Sequence, residues 1–549
     1  MRISLVMVCS FAGLTAAIGC SNRSSKSTSI APASVSESRT DSSTASSNMV
    51  LFGPDPIDTS LKLGKIPDLR MTPRPAVTEA QISRIKTLIA GLAAMDKPDY
   101  GLSATLSGSA FAPLADQARS GAGVITDHGL QTFEGMKALV AMGPDALPFL
   151  LDALDDATPT KIVVKPMMGP IWHEAELSLN PVNPAERDVA LARAEEFKRM
   201  SEPLQPEKGA VLKKFDLESF DTPYTVKVGD VCFVVIGQIV GRAYEAVRYQ
   251  PSAIVVVNSP VSDPDLRAEV RAIWRSENPA RNLFDSLLAD FATEGTSDGK
   301  SLDGWYGGHY LQCGAALRLS YYFPGEAAPL IASRLAGLDV GKDEEGDVDA
   351  FMRRAVANKV RSDEFVKAIA WFEAPAVREA LVALFKRAGD TDTLLAALPA
   401  MKDVALIRDR LEPLVGALPA DEGGPYGKGF HLLAALCERS PGTARAVFAR
   451  YLRDASAQRC HTVCLVLRDV KADWDTDLLA PMLSDRRTWG WAYPVTPEAN
   501  EPRRPIRVCD EAALTLSANH PEFRFTRAGE HADLDRQIAA IRERISRKK

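Results

Sequence analysis

The sequence predicts a mainly α chain, built as an irregular α-α superhelix with a small β-containing insertion, on three observations. The stretch Gly129–Thr158 reads as two short amphipathic helices: Phe133, Met136, Leu139 and Val140 recur at three- and four-residue steps, and Leu147, Leu150, Leu151 and Leu154 repeat that spacing. Between them, Gly143 suits a left-handed residue after a helix end, and Pro144 has no amide proton to leave unsatisfied in the next first turn. The junction recurs as Pro324-Gly325-Glu326-Ala327 and Pro441-Gly442-Thr443-Ala444, a Pro/Gly break and then alanine, usually with an acidic residue where the helix dipole favours it. From Arg281 onward almost every segment fits the helical period, from His309–Tyr321 to Leu534–Ile545, with short connections.

This pattern, above all the junction and second helix of the Gly129 unit, resembles a HEAT-like repeat of the HEAT/armadillo class. The resemblance implies antiparallel helix pairs stacked as a solenoid, and it implies no activity, because helical solenoids serve many unrelated roles. The recurring junctions are unevenly spaced, so the array is irregular or interrupted.

In chain order, Met1–Gly19 carries one basic residue, Arg2, then an apolar run that ends Ala17-Ile18-Gly19-Cys20. It resembles a bacterial lipoprotein signal peptide, with Ala17 where that family usually has leucine. The resemblance implies Cys20 as the lipidated first residue of the mature chain. With Ser21 and Asn22 after it rather than aspartate, it implies an outer-membrane anchor facing the periplasm. The run also fits an ordinary secretory signal or a short membrane anchor. Residues 20–48 form a tether, with twelve serines among the twenty-eight residues Ser21–Asn48, predicted to be disordered with a span of about 30 Å.

Residues 49–160 then form an N-terminal helical region with a proline-rich lead-in and a first helix, Thr78–Met95, for which Thr78 is the candidate N-cap. Gly101–Gly123 reads as loop. Residues 161–280 are mixed: Lys161–Pro181 alternates weakly, as a hairpin-like insertion would, Pro184–Met200 is helical, and Ile254–Val257 is extended. Val231–Val240 has strand propensity. However, the pattern of Val226-Lys227-Val228-Gly229-Asp230-Val231-Cys232 returns in Ile506-Arg507-Val508-Cys509-Asp510-Glu511-Ala512, where a helical stretch follows, so Val231–Ile239 is read as a buried helix. Residues 281–549 form C-terminal repeats closed by a charged cap helix, Asp533–Lys549.

A formal charge of −6 and pI near 5.8 argue against nucleic acid as a partner. No motif calls for a cofactor or metal. His173-Glu174 lacks the second histidine of a zinc-protease helix, Gly427-Lys428 lacks the Ser or Thr of a phosphate loop, and the acidic loop Asp339–Asp349 lacks calcium-loop spacing. Cys232, Cys313, Cys437, Cys460, Cys464 and Cys509 read as small buried side chains, with Cys437 paired to Cys460 or Cys464 as the alternative. Two polar-aromatic loops are candidate partner-binding segments. One holds Trp305, Tyr306 and His309; the other holds Trp489, Trp491 and Tyr493, followed by Arg503, Arg504 and Arg507, residue types that dominate interfaces. In both, the aromatics also fit as packing groups for neighbouring helices. The chain is therefore expected to be a membrane-tethered scaffold for a protein or envelope polymer. The competing expectation is an envelope hydrolase assembled from scattered residues such as Asp303, His309 and His431.

Overall fold

The computed structural model describes residues 61–96, 111–114, 133–166, 171–201, 222–249, 255–294, 308–340, 362–418, 427–491, 505–527 and 529–548. The first helix, α1 (Glu79–Gly91), starts as its cap requires: the Thr78 hydroxyl accepts the Gln81 amide, and the Gln81 side chain accepts the Thr78 amide. The Gly129 unit resolves into α2 (Glu134–Met142), a 3₁₀ turn at Gly143–Asp145, and α3 (Leu147–Asp152), with Phe133 just before the first helix rather than inside it. Gly143 has φ 57° and ψ −126°, so the positive φ is as expected, although ψ lies outside the left-handed helical basin. A second demand on Gly143 was invisible in sequence. The Tyr322 ring lies where a Cβ would stand, and the Tyr322 hydroxyl donates to the Val140 carbonyl at 2.6 Å.

The mixed region departs from the expected hairpin. Strand β2 (Pro159–Val164) pairs antiparallel with β4 (Tyr224–Lys227), while β3 (Ile171–His173) runs parallel to β6 (Val255–Val257), which also pairs antiparallel with β5 (Val247–Tyr249). Alternation in Lys161–Pro181 marks extended chain but carries no information about which distant strand supplies the hydrogen bonds. Between these strands lie α4 (Arg187–Ser201) and α5 (Val228–Val240). Every residue of α5 is buried, so its β-branched run is apolar on all sides as a fully enclosed helix must be, and packing overrides strand propensity. Helices α6 (Pro264–Trp274) and α7 (Pro279–Phe291) follow, then β7 (Thr293–Glu294), antiparallel to β1 (Lys62–Leu63).

The C-terminal part contains α8 (Gly308–Tyr322), α9 (Pro324–Ala336), α10 (Ser362–Ile369), α11 (Pro375–Arg387), α12 (Thr391–Ala397), α13 (Val404–Ala417), α14 (Lys428–Arg439), α15 (Pro441–Tyr451), α16 (Ala457–Val470) and α17 (Asp475–Met482). The hairpin β8 (Thr488–Trp491) and β9 (Pro505–Arg507) leads into α18 (Val508–Asn519) and α19 (His531–Lys548). Packing skips alternate helices: α8, α10, α12, α14, α16 and α18 contact one another in succession, and α9 with α11 and α13 with α15 pack behind them. Helix α19 buries Leu534, Ile538, Ile541 and Ile545 and exposes its charges, as a cap helix would. The six cysteines are buried, and among the described residues no disulfide joins them, in keeping with the packing reading rather than a Cys437 bridge.

The sequence echo is a structural one. In each copy a helix with a positive-φ end (Gly143, Lys471) leads to a second helix, a strand, its antiparallel partner, and a third helix starting at the repeated motif. Val228 N–H donates to Thr158 O at 2.9 Å and Val508 N–H to Arg487 O at 2.9 Å. Gly229 N–H donates to Asp156 O at 3.0 Å, and Cys509 N–H to Asp485 O at 2.9 Å. Asp156 and Asp485 each accept the amide two residues on, at 2.9 and 3.0 Å. The motif aspartates sit at the third helical position and accept the amide of the residue preceding the helix, Lys227 N–H at 2.9 Å and Arg507 N–H at 3.1 Å.

Candidate functional site

The second copy carries the aromatic and arginine-rich candidate segment. Cys20, Asp303, Trp305, Tyr306, Tyr493, Arg503 and Arg504 lie outside the described residues; His309 lies in the first turn of α8, and Trp491 ends β8. Trp489 is placed in full. Its ring stacks on His461 of α16 with centroids 3.4 Å apart and planes 11° apart. His461 Nδ1 lies 3.6 Å from Glu511 Oε2, longer than a hydrogen bond. Neither that nitrogen nor Trp489 Nε1 has a hydrogen-bond partner among the described residues. Glu511 on α18 is wholly buried and is clasped by Arg468, at 3.3 Å, and by Arg527. Burial opposes ionisation of Glu511, yet His461, Arg527 and Arg468 together hold its carboxyl below the usual range.

The hairpin is fixed at its other strand by Arg507, which the sequence groups with Arg503 and Arg504 as a partner-contact candidate. The structure corrects this: Arg507 is buried, pairing with Asp510 at 2.8 Å and with Asp535 of α19 at 2.8 Å. Arg487, just before β8, donates to the Ala455 carbonyl at 2.7 Å and pairs with Asp485 at 2.6 Å. Both ends of the connection between β8 and β9 are thus tied to buried or paired groups.

A second polar cluster surrounds β3. Successive strand residues face opposite sides, so His173 and Glu174 separate: the His173 ring packs edge-on to Tyr224, and Glu174 meets Arg248 at 3.8 Å beside Glu176, itself 2.7 Å from Arg248. Burial and the neighbouring Glu176 raise the Glu174 carboxyl to about 7, against the pull of Arg248. Burial and Lys227 lower His173, with Asp230 opposing. Asp230 is enclosed, accepting Ser259 Oγ at 2.5 Å and Tyr224 Oη at 2.6 Å, and it lines no opening. Reading residues 171–174 as a strand would have predicted this separation.

A further set of buried charges, missed in sequence, forms a closed network. Arg242 Nε donates to Glu186 Oε1 at 2.8 Å and Arg242 Nη1 to Asp290 Oδ2 at 2.7 Å, and the Asn180 and Asn183 amides each donate to Asp290 Oδ1 at 2.8 Å. All three ionic groups are buried and satisfied, which is structural chemistry and leaves no group to react. A cleft of about 630 Å³ between α13, α15 and α16 has an apolar floor of Val415, Val447 and Tyr451. At its rim Glu412 pairs with Arg450. His431 is exposed on α14, edge-on to Phe430 and away from that lining. Among the described residues, no group of three or more His, Cys, Asp or Glu side chains is arranged to hold a metal ion, and no helix is long and apolar enough to cross a membrane. No family model matches this chain, and no curated protein or solved structure matches it.

Proposed function

We propose that the chain is a lipid-anchored cell-envelope scaffold, a HEAT-like solenoid that presents its surface to a protein or envelope-polymer partner, with the β8–β9 hairpin as the contact element. The observation that carries this reading is the anchoring of both hairpin strands, Trp489 on His461 and Arg507 on Asp510 and Asp535, on either side of a connection whose sequence carries Tyr493, Arg503 and Arg504. Strands already anchored to the body lower the entropy lost when the hairpin binds. The succession of alternate helices in contact supports a stacked-pair superhelix.

Two arms test the proposal. Cys20→Ala should move the folded chain from the detergent phase to the aqueous phase; partition like the wild type would refute the anchor. Trp491→Ala combined with Arg503→Ala and Arg504→Ala should abolish capture of the partner recovered with the wild type, identified by mass spectrometry, while the melting temperature shifts by no more than about 2 °C. Retained capture with a much lower melting temperature would make the segment core.

A further inference from the structure

We infer that the outer face of α19 is an electrostatic contact for an anionic lipid surface. From Arg536 to Lys549 the sequence holds six basic side chains and one acidic, Glu543, a local excess of five positive charges on a chain of formal charge −6. Residues 1–535 therefore carry a formal −11. Leu534, Ile538, Ile541 and Ile545 are buried and α19 packs on α18, so the helix has committed its apolar stripe to the body and has none left to insert into a bilayer. The charges lie away from that stripe. Arg536, Arg542, Glu543, Arg544 and Arg547 are all exposed, and at 3.6 residues per turn Arg536, Glu543 and Arg547 fall in the middle of the outer face with Arg542 and Arg544 on its flanks. Arg544 donates to the Glu522 carbonyl, while Arg536 and Arg547 pair with Asp533 and Glu543, exposed pairs of a kind that contribute little to stability. Counting Asp533 and Asp535 as well, residues 531–549 keep an excess of three, and Asp535 is itself paired with Arg507 and Arg486.

Helix stability alone does not call for this charge. The helix dipole favours cations in the last turn, which accounts for Arg547 and Lys548, but it fades within a turn and gives no reason for Arg536 or Arg542. Charge complementarity selects an anionic surface, and two properties make it a lipid surface rather than a nucleic acid. A helix is roughly 10 Å across, about one Debye length at physiological salt. A flat surface touching α19 therefore meets the basic face while the acidic remainder behind it is screened, whereas a long polyanion running past α19 would meet that remainder. The exposed residues of α19 are arginine, glutamate, alanine and serine, with no aromatic ring on which a base could stack. Clusters of basic side chains on one helix bind anionic headgroups and add a second hold to a lipid anchor. As a second hold the contact rests on the anchor proposed above; as a property of the α19 surface it stands without it.

The full chain carrying Cys20→Ala, and so no lipid, is sedimented with vesicles of phosphatidylcholine alone and with vesicles that also contain phosphatidylglycerol. Affinity for the anionic vesicles should exceed that for the neutral ones at least about tenfold at about 0.05 M salt, and the difference should vanish at about 0.5 M. Whatever residues 1–19 contribute is common to every variant and cancels. Arg536→Gln, Arg542→Gln and Arg547→Gln together, with Arg544 left on its carbonyl, should weaken anionic-vesicle binding at least about tenfold while the melting temperature moves by no more than about 2 °C. Glu543→Gln removes the one acid among these arginines and should tighten binding about threefold or more. No preference for anionic vesicles, or binding unchanged in the triple variant, would overturn the contact. Affinity for a duplex oligonucleotide equal to that for the anionic vesicles would overturn the lipid assignment in favour of nucleic acid. Should the triple variant melt much lower, Glu543→Gln decides, and failure to tighten binding would overturn the proposal. Detergent partition of the wild type reads the lipid at Cys20 alone, so the anchor and the α19 contact can fail separately.

Discussion

Asp230 and Asp510 occupy the same place in the repeated motif but carry different loads. An isolated helix cap is worth about 1 kcal/mol, yet Asp230 also accepts two buried hydroxyls, from Ser259 and Tyr224. Asp230→Ala should therefore cost about 3 kcal/mol, and Asp230→Asn less than half of that, because the amide oxygen still accepts; chemical denaturation measures both. Asp510 faces the Arg507 guanidinium, which keeps Asp535 as a second partner, so Asp510→Ala should cost about 2 kcal/mol. Glu174 gives a pH signature. Its folded-state carboxyl is raised from 4.5 to about 7, so the folded chain keeps a proton that the unfolded chain loses. The stability this contributes is complete below about 4.5 and disappears as pH rises through about 7. Glu174→Gln should leave stability at pH 4.5 nearly unchanged and raise it at pH 8; equal melting-temperature shifts at both would exclude a raised Glu174.

Between elements, the α2–α3 junction was legible because its signals are local: a glycine after a helix and a proline entering the next. What the glycine tolerates was only half legible. Gly143→Ala combines a positive φ with a collision against the Tyr322 ring and should cost roughly 2–4 kcal/mol, read as a shift in the denaturation midpoint. Had only the turn mattered, asparagine would restore most of the loss; with Tyr322 in place it should not. The same limit explains α12, which, like α6, the periodicity reading did not single out. Helix α6 has its signals, Asp263 as N-cap and Pro264 at the first position, whereas α12 is only 7 residues long. A helix that short owes its conformation to the neighbours that bury it.

For the whole molecule, succession of helix on next-but-one helix means each unit's apolar face is covered mainly by its neighbours. The last helix, α19, packs on α18 and buries Leu534, Ile538, Ile541 and Ile545. Removing residues 529–549 should lower the melting temperature by about 3 °C or more and increase binding of an apolar dye. An unchanged melting temperature would mean that α19 is an appendage. The deletion also frees Arg507 from Asp535, so loosening of the hairpin should accompany the loss of the cap.

Residue order alone pointed to the helical class, the Thr78 cap, the Gly143 turn and, against strand propensity, a helix over Val231–Ile239 through its echo at Val508, which the structure extends to Val228–Val240. Each rests on spacing or capping within a few residues, interactions that any folded context must satisfy. Only the tertiary structure decided which strands pair, where the Arg242–Glu186–Asp290 network closes, and that Trp489 meets His461. The partners of Arg242 are 56 and 48 residues away in sequence. No local period records such a meeting, because burial is set by the chain that arrives from elsewhere.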